Sequence, residues 1–391
     1  MEIRDAARPL DGAAVSAFLR SLPARPDLLG LGEAMHFVTE LGEARNAIFR
    51  HLVEHEGFRA FAIESDCLKA LLVDEYVTTG AGDLDEVMER GFSHGFGAFP
   101  ANRELVRWMR EHNERHGDRL RFFGIDGPLE YWAASPREAL AGLYALVDGP
   151  PCSWETIDEL LGPDARWSDE ATVLDPSRSI GQSDDARRLR LITDDLITLL
   201  ETQAPRLSPA DRERAELYAR TAVGLLRYHH WMADTSPARV SRLSAVRDAL
   251  MAANLRAIAA HGPVLVFSHN LHLQRSGSTM TFGDQELAWW SAGALVSAHL
   301  GDRYAFIASA LGALGDEGPP PGTLEGALAT LPWERALADA RALAAAVPGA
   351  APRTSPHYAY FPLDPAQIGT ADGVLFLGRV RVPDWPRGPR E

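Results

Sequence analysis

The 391-residue chain is poor in several things at once: it has two cysteines and a single lysine among 39 basic residues. No stretch approaches the ~18 consecutive apolar residues of a membrane span. Each scarcity excludes something. Cys67 and Cys152 are too few and too far apart in sequence for a disulfide scaffold or a cysteine-based zinc site. Because Lys69 stands alone, the positive charge is almost all arginine and forms no basic tract, and a net charge of −15 argues further against nucleic acid. Neither a Gly-x-x-x-x-Gly-Lys phosphate loop nor a His-Glu-x-x-His helix occurs. No apolar leader follows Glu2-Ile3-Arg4-Asp5, so a reducing, cytoplasmic setting is expected, with a small molecule as partner and no membrane. The Ala, Arg, Gly and Pro bias is that of a high-GC bacterial genome and carries no mechanism.

What is present is a composition 46% hydrophobic and 24% charged, that of a globular protein able to bury a large core. Short apolar runs bounded by turn residues predict strands at 27–32, 60–64, 120–125, 264–267, 304–308, 358–361 and 374–377. Between the first two, Leu41, Ala44, Ile48, Leu52 and Val53 recur at helical spacing, and Glu56-Gly57 ends the helix. Thr39 is its expected N-cap. Leu105, Trp108 and Met109 mark a second helix. Such alternation predicts an α/β fold with a mostly parallel central sheet flanked by helices. Residues 128–239 show helical patterns, notably 186–203 and 211–232, and no strand. The expected division is therefore a core formed by 1–127 and 240–391, with 128–239 as an inserted helical subdomain.

Ionisable groups gather where strands run out, which is where open α/β sheets bind ligands. Glu33 and His36 follow the first strand, and a carboxylate beside an imidazole suits a general base. Glu64 ends the second strand. An acid there needs a partner, and Arg45 is one candidate for a structural ion pair. Asp126 ends the third. His269 and His272 close the strand at 264–267, and metal ligation through that pair is a minor alternative. The segment from Gly91 to Pro100 holds His94 and Phe96 among glycines and phenylalanines, as either a mobile pocket wall or a loop pinned to the core. It also spells Gly91-Phe92-Ser93-His94-Gly95. A helix precedes Ser93 and a loop follows it, the reverse of the strand-then-helix context a nucleophile elbow requires.

Gly32-Glu33-Ala34-Met35-His36, Ala62-Ile63-Glu64-Ser65-Asp66 and Ser268-His269-Asn270-Leu271-His272 resemble, in order and spacing, the hallmark motifs of the erythromycin esterase family. Arg45, Phe123-Gly124-Ile125-Asp126 and Arg247-Asp248 through Asn254 add to the likeness, which spans about Leu29 to Leu377. The resemblance implies hydrolysis of an ester or macrolide lactone without cofactor or metal. His36 would activate water, Glu33 and Glu64 would orient it, and Arg45 and His269 would face it across the cleft. Substrate would meet His94, Phe96, Asp126, His272, Met35 and Phe37. Met35 and Phe37 stand where many members carry a small hydroxyl residue and a glycine, which makes the pocket floor bulkier. An alternative is a biosynthetic enzyme of the same fold that uses the acid and base groups for cyclisation, elimination or rearrangement without net hydrolysis. A silent binding protein is a third.

Overall fold

The computed structural model describes residues 2–129, 133–354, 357 and 359–383. In chain order its strands are β1 (Ala7–Pro9), β2 (Leu28–Glu33), β3 (Ala60–Asp66), β4 (Arg121–Asp126), β5 (Val264–His269), β6 (Gly277–Phe282), β7 (Gln285–Trp290), β8 (Tyr304–Leu314), β9 (Arg335–Asp339) and β10 (Gly373–Val380). Eight of them form one sheet in the order β1-β9-β10-β8-β2-β5-β3-β4. From β10 to β4 every pairing is parallel, while β9 runs antiparallel to both β1 and β10. β6 and β7 make a separate antiparallel hairpin. The fold is the α/β class read from the sequence.

Every residue of β2, β3 and β5 is buried, so these strands need apolar side chains and helical cover on both faces. The period of two sorts them. Leu29, Leu31, Phe61, Ile63, Leu265 and Phe267 share one layer with Ile48, Phe49 and Leu52 of helix Thr39–His55 and Leu105 and Met109 of helix Pro100–Arg115. Leu28, Ala60, Ala62, Val264 and Val266 share the other with Met251 and Leu255 of helix Arg239–Ile258. Between β4 and β5 the described chain is helical, with its own apolar cluster from Leu140, Ile157, Leu189, Leu196 and Ala219.

Two local devices shape the rim where the parallel strands end. Between the pairs Ile63↔Gly124 and Asp66↔Asp126, β3 advances three residues while β4 advances two, so β3 carries a one-residue bulge. A bulge re-aims the side chains beyond it, here Glu64 to Asp66. At Gly32 a Cβ would lie 2.0 Å from Asn270 Oδ1. Only glycine leaves room for that amide, which spans across to the N–H and carbonyl of Ser309 on β8.

Two expectations need correction. Tyr358 lies outside the described residues, and 359–361 are not a strand; Phe361 instead crosses the rim and donates its N–H to the Ala34 carbonyl. Thr39 is the first helical residue, and Val38 holds the cap without a side-chain bond. The antiparallel edge and the hairpin were not foreseen. β9 is alanine-rich and reads as helix, and β1 is three residues ending in Pro9, which fits only an edge.

Candidate active site

Glu33 is the last residue of β2 and is 4% exposed. His36 turns back to it, with Nδ1 2.6 Å from Glu33 Oε1, and keeps a side chain 27% exposed. The next residue, Phe37, has a φ of 62°, one of only two positive values on non-glycine described residues. The other is His94, at 55°. Such dihedrals cost on the order of 1–3 kcal/mol each and persist where the surroundings impose them. Both residues border the same aromatic wall: Phe96 lies 5.4 Å from His36, 5.3 Å from Phe37 and 6.1 Å from His94, ring centre to ring centre.

Burial alone would lower the His36 imidazole, but the charge and hydrogen bond of Glu33 outweigh it and raise it to about 9. Burial also raises the Glu33 carboxyl, against the pull of His36. Both shifts keep a proton between the pair.

His269 stands 5.4 Å from His36 between ring centres and is 6% exposed. Its Nδ1 accepts the Leu271 N–H at 3.2 Å, which puts the proton of the neutral ring on Nε2. That Nε2 is buried and makes no hydrogen bond of good geometry; the Ala34 carbonyl, which also accepts the Phe361 N–H, is near enough only to pull weakly on its proton. Burial, with His36 adding to it, lowers His269 to about 3, so it stays neutral. A buried orphan donor costs about 1–3 kcal/mol and is rare. Here it is a donor awaiting an acceptor.

Behind these groups lies a charged layer. Glu64 Oε2 accepts from Ser268 Oγ at 2.7 Å and from His269 N at 2.8 Å, while Oε1 meets Arg247 Nη2 at 3.2 Å and His272 Nε2 at 3.4 Å. Burial would raise its carboxyl, but His272, His36 and Arg247 bring it well below the usual range. His272 is held from its other side by Asp248, 2.6 Å away, and Asp248 also accepts from Trp289 Nε1 and Ala292 N. Against burial, Asp248 and Glu64 raise His272, whose two ring nitrogens lie between their carboxylates. Arg247 grips Asp126 through Nε and Nη2, and Asp126 meets His94 Nε2 at 3.2 Å.

The structure thus gathers Glu33, His36, Glu64 and His269 around one rim. The arginine beside Glu64 is Arg247 rather than Arg45. Arg45 is fully buried, donates to Asn46 and Asn102, and stacks 4.8 Å over Phe267, so it underlies the site instead of facing it across a cleft. Met35 and Asp126 are fully buried and cannot meet a substrate as the chain stands; Phe37 and His94 keep partial exposure. His272 belongs to the charged layer. Ser93 is buried, accepts from Asp66 N and contacts Ser65 Oγ, and its loop is pinned by Phe92, Phe96 and Phe99. Trp289 escaped the sequence reading because nothing local marks an indole on a hairpin as the partner of an aspartate 41 positions earlier. Among the described residues no group of three or more His, Cys, Asp or Glu side chains is arranged to hold a metal ion, and no helix is long and apolar enough to cross a membrane.

Comparison with known proteins follows the same lines. The family model for erythromycin esterase matches residues 53–377, a span that includes Glu64, Arg247 and the His269 motif and begins after His36. Erythromycin esterase type I of Escherichia coli is 24% identical over 270 residues, 64% of this chain and 62% of that protein. Erythromycin esterase type II of Escherichia coli is 29% identical over 111 residues, 28% of this chain and 26% of that one. The chain therefore matches less than two thirds of the length of either relative. Among solved structures, a Bacillus cereus protein superposes with a TM-score of 0.71 at 16% identity, covering 97% of this chain and 100% of that one. A variant of the erythromycin esterase EreC in its open conformation gives 0.69 at 19% identity, covering 95% of each chain. These two share the fold. The chain belongs to the erythromycin esterase family.

Proposed function

We propose that this chain is a hydrolase that opens an ester or lactone, a macrolide lactone of the kind named for its relatives being the first substrate to try, with His36 activating water. In this reading His36 Nε2 faces the cleft and takes the proton of the attacking water, while Glu33 holds Nδ1 and steadies the imidazolium that forms. The carbonyl oxygen that becomes negative is received by His269 Nε2–H, and as the tetrahedral intermediate collapses and the ester C–O bond breaks, the His36 imidazolium returns its proton to the leaving alkoxide. A donor already in place in a water-poor site needs no reorganisation as charge develops, and one such donor is worth about 2.7–4 kcal/mol. Glu64 acts through His269, whose backbone N–H it holds, and Arg45 acts by its field alone. Residues 128–239 are proposed as the subdomain that completes the pocket wall.

The observation that carries the reading is the pairing of a base held by a buried carboxylate with a buried imidazole N–H that lacks a well-placed acceptor, 5.4 Å away, ring centre to ring centre. The test is turnover of a macrolide lactone and a panel of simpler esters in ¹⁸O-labelled water. Hydrolysis must place one labelled oxygen in the product, and the incorporation must vanish in His36→Asn. Product formed without the label, or labelled at the same rate by His36→Asn, would overturn it.

A further inference from the structure

Six carboxylates are buried among the described residues: Glu33, Glu64, Asp66, Asp126, Asp248 and Glu325. Removing a carboxylate from water costs several kcal/mol unless a partner compensates. Five have one with a charge or a hydroxyl: His36 for Glu33, Arg247 for Glu64 and Asp126, His272 for Asp248 and Tyr360 for Glu325. Asp66 is the exception. Its Oδ1 accepts the N–H groups of Leu68 and Lys69 at 2.8 and 3.3 Å, and its Oδ2 accepts nothing from any described residue.

Asp66 borders a cavity of about 670 Å³, walled also by Lys69, Arg137, Glu138, Trp154 and Asp164 together with apolar surface from Pro128, Ala134 and Ala141. The volume falls within the roughly 300–1,000 Å³ of small-molecule sites. None of Glu33, His36, Glu64 or His269 lines it. The two cations present do not neutralise Asp66. Arg137 is occupied by Asp158, Asp164 and the Gly162 carbonyl, and Lys69 is exposed and forms no ion pair with Asp66. Burial pushes the Asp66 carboxyl up to about 6, with Glu138 adding to the rise and the Leu68 and Lys69 N–H groups and the Lys69 charge opposing it.

We propose that this cavity is a binding site for an organic ammonium ion, separate from the His36 cleft, whose charged nitrogen sits on Asp66 and whose apolar body lies against Trp154. An ammonium supplies the counter-charge that the fold withholds from Asp66. An indole face adds cation–π attraction of about 0.5–2 kcal/mol, depending on how dry the site is. An anion would meet the carboxylates of Asp66, Glu138 and Asp164 in the wall, so the sign of the ligand is fixed. The net charge of −15 also draws cations toward the protein. The inference stands whether or not the hydrolytic reading does.

The experiment uses benzyltrimethylammonium and benzylammonium as probes and benzyl alcohol as the neutral control, each titrated into the full chain by calorimetry. Both cations are expected to bind, with the alcohol at least tenfold weaker. Asp66→Asn keeps an oxygen for the Leu68 and Lys69 N–H groups but removes the charge, and is expected to weaken the cations at least tenfold. Ala141→Phe fills the cavity with Asp66 intact and is expected to do the same, which decides the matter if the asparagine variant misfolds. His36→Asn should bind as the parent does. Alcohol binding as tightly as the cations, undiminished binding by a folded Asp66→Asn or Ala141→Phe, or loss of binding in His36→Asn would each overturn the proposal.

Discussion

An imidazole 2.6 Å from a buried carboxylate is a stronger base than one in water, and also a more reluctant one, because it is already protonated. With His36 raised to about 9, its neutral form at pH 7 is about one part in a hundred, each unit being a factor of ten. The proposed mechanism needs that form. kcat/KM should therefore rise with pH from 6 until it levels near 9, and a flat or falling profile over that range would remove His36 as the base. His36→Ala is expected to lower turnover ~10²- to 10⁴-fold, and His269→Ala ~10²- to 10³-fold through loss of the orphan donor. Single-turnover rates on a responsive ester measure both. Ser93→Ala should leave turnover intact, since Ser93 sits buried among Ser65 and the Asp66 N–H. Its cost should appear in stability, about 1–3 kcal/mol by urea unfolding, because a buried N–H is left without its acceptor.

At the scale of elements, helix Arg239–Ile258 performs two tasks with one face. It packs Met251 and Leu255 on the sheet, and one turn earlier it delivers Arg247 and Asp248 to the strand ends. Arg247 bridges two buried carboxylates, Glu64 shared with His272 and Asp126 with His94, so Arg247→Met should cost about 3–5 kcal/mol, the range for breaking a buried ion pair from one side. A urea midpoint that barely moves would mean Glu64 and Asp126 are held by other means. The parallel strands were legible in sequence because each is a short apolar run whose burial on both faces leaves no alternation to misread. Glu33, Glu64 and His269 were legible because charge at the end of such a run is conspicuous. What pairs with what was not. Glu64 and Arg247 are 183 positions apart, and sequence periodicity carries no information across that distance, so Arg45 served as well on paper. The bulge in β3 and the reach of Asn270 over Gly32 are backbone geometry with no distinct composition.

For the molecule as a whole, the two cleft histidines pull stability in opposite directions on either side of their common unfolded value near 6.5. His36 is raised in the fold to about 9, so the folded state binds more protons between 6.5 and 9. Its contribution is fully present below 6.5 and is lost as pH climbs through 9. At 2.5 units this amounts to on the order of 3 kcal/mol. His272, also raised, loses its contribution in the same direction. His269 is lowered to about 3, so the unfolded state binds more protons between 3 and 6.5, and stability falls as pH drops through that window. The lowered Glu64 and Asp126 add to the acid-side loss below the ordinary carboxylate range, while the raised Glu33 and Asp66 oppose the His269 loss above it, Asp66 between its ordinary value and about 6. Urea unfolding at intervals from pH 4 to 9.5 should therefore show a maximum near 6.5 with a decline on each side. His36→Asn should shrink the alkaline decline to the share of His272, and His269→Asn should shrink the upper part of the acid one to the share of the buried His229, which is lowered to about 4. A plateau from 6.5 to 9 in the parent, or an alkaline arm that survives His36→Asn unchanged, would show that the carboxylate at the end of β2 does not hold its imidazole charged.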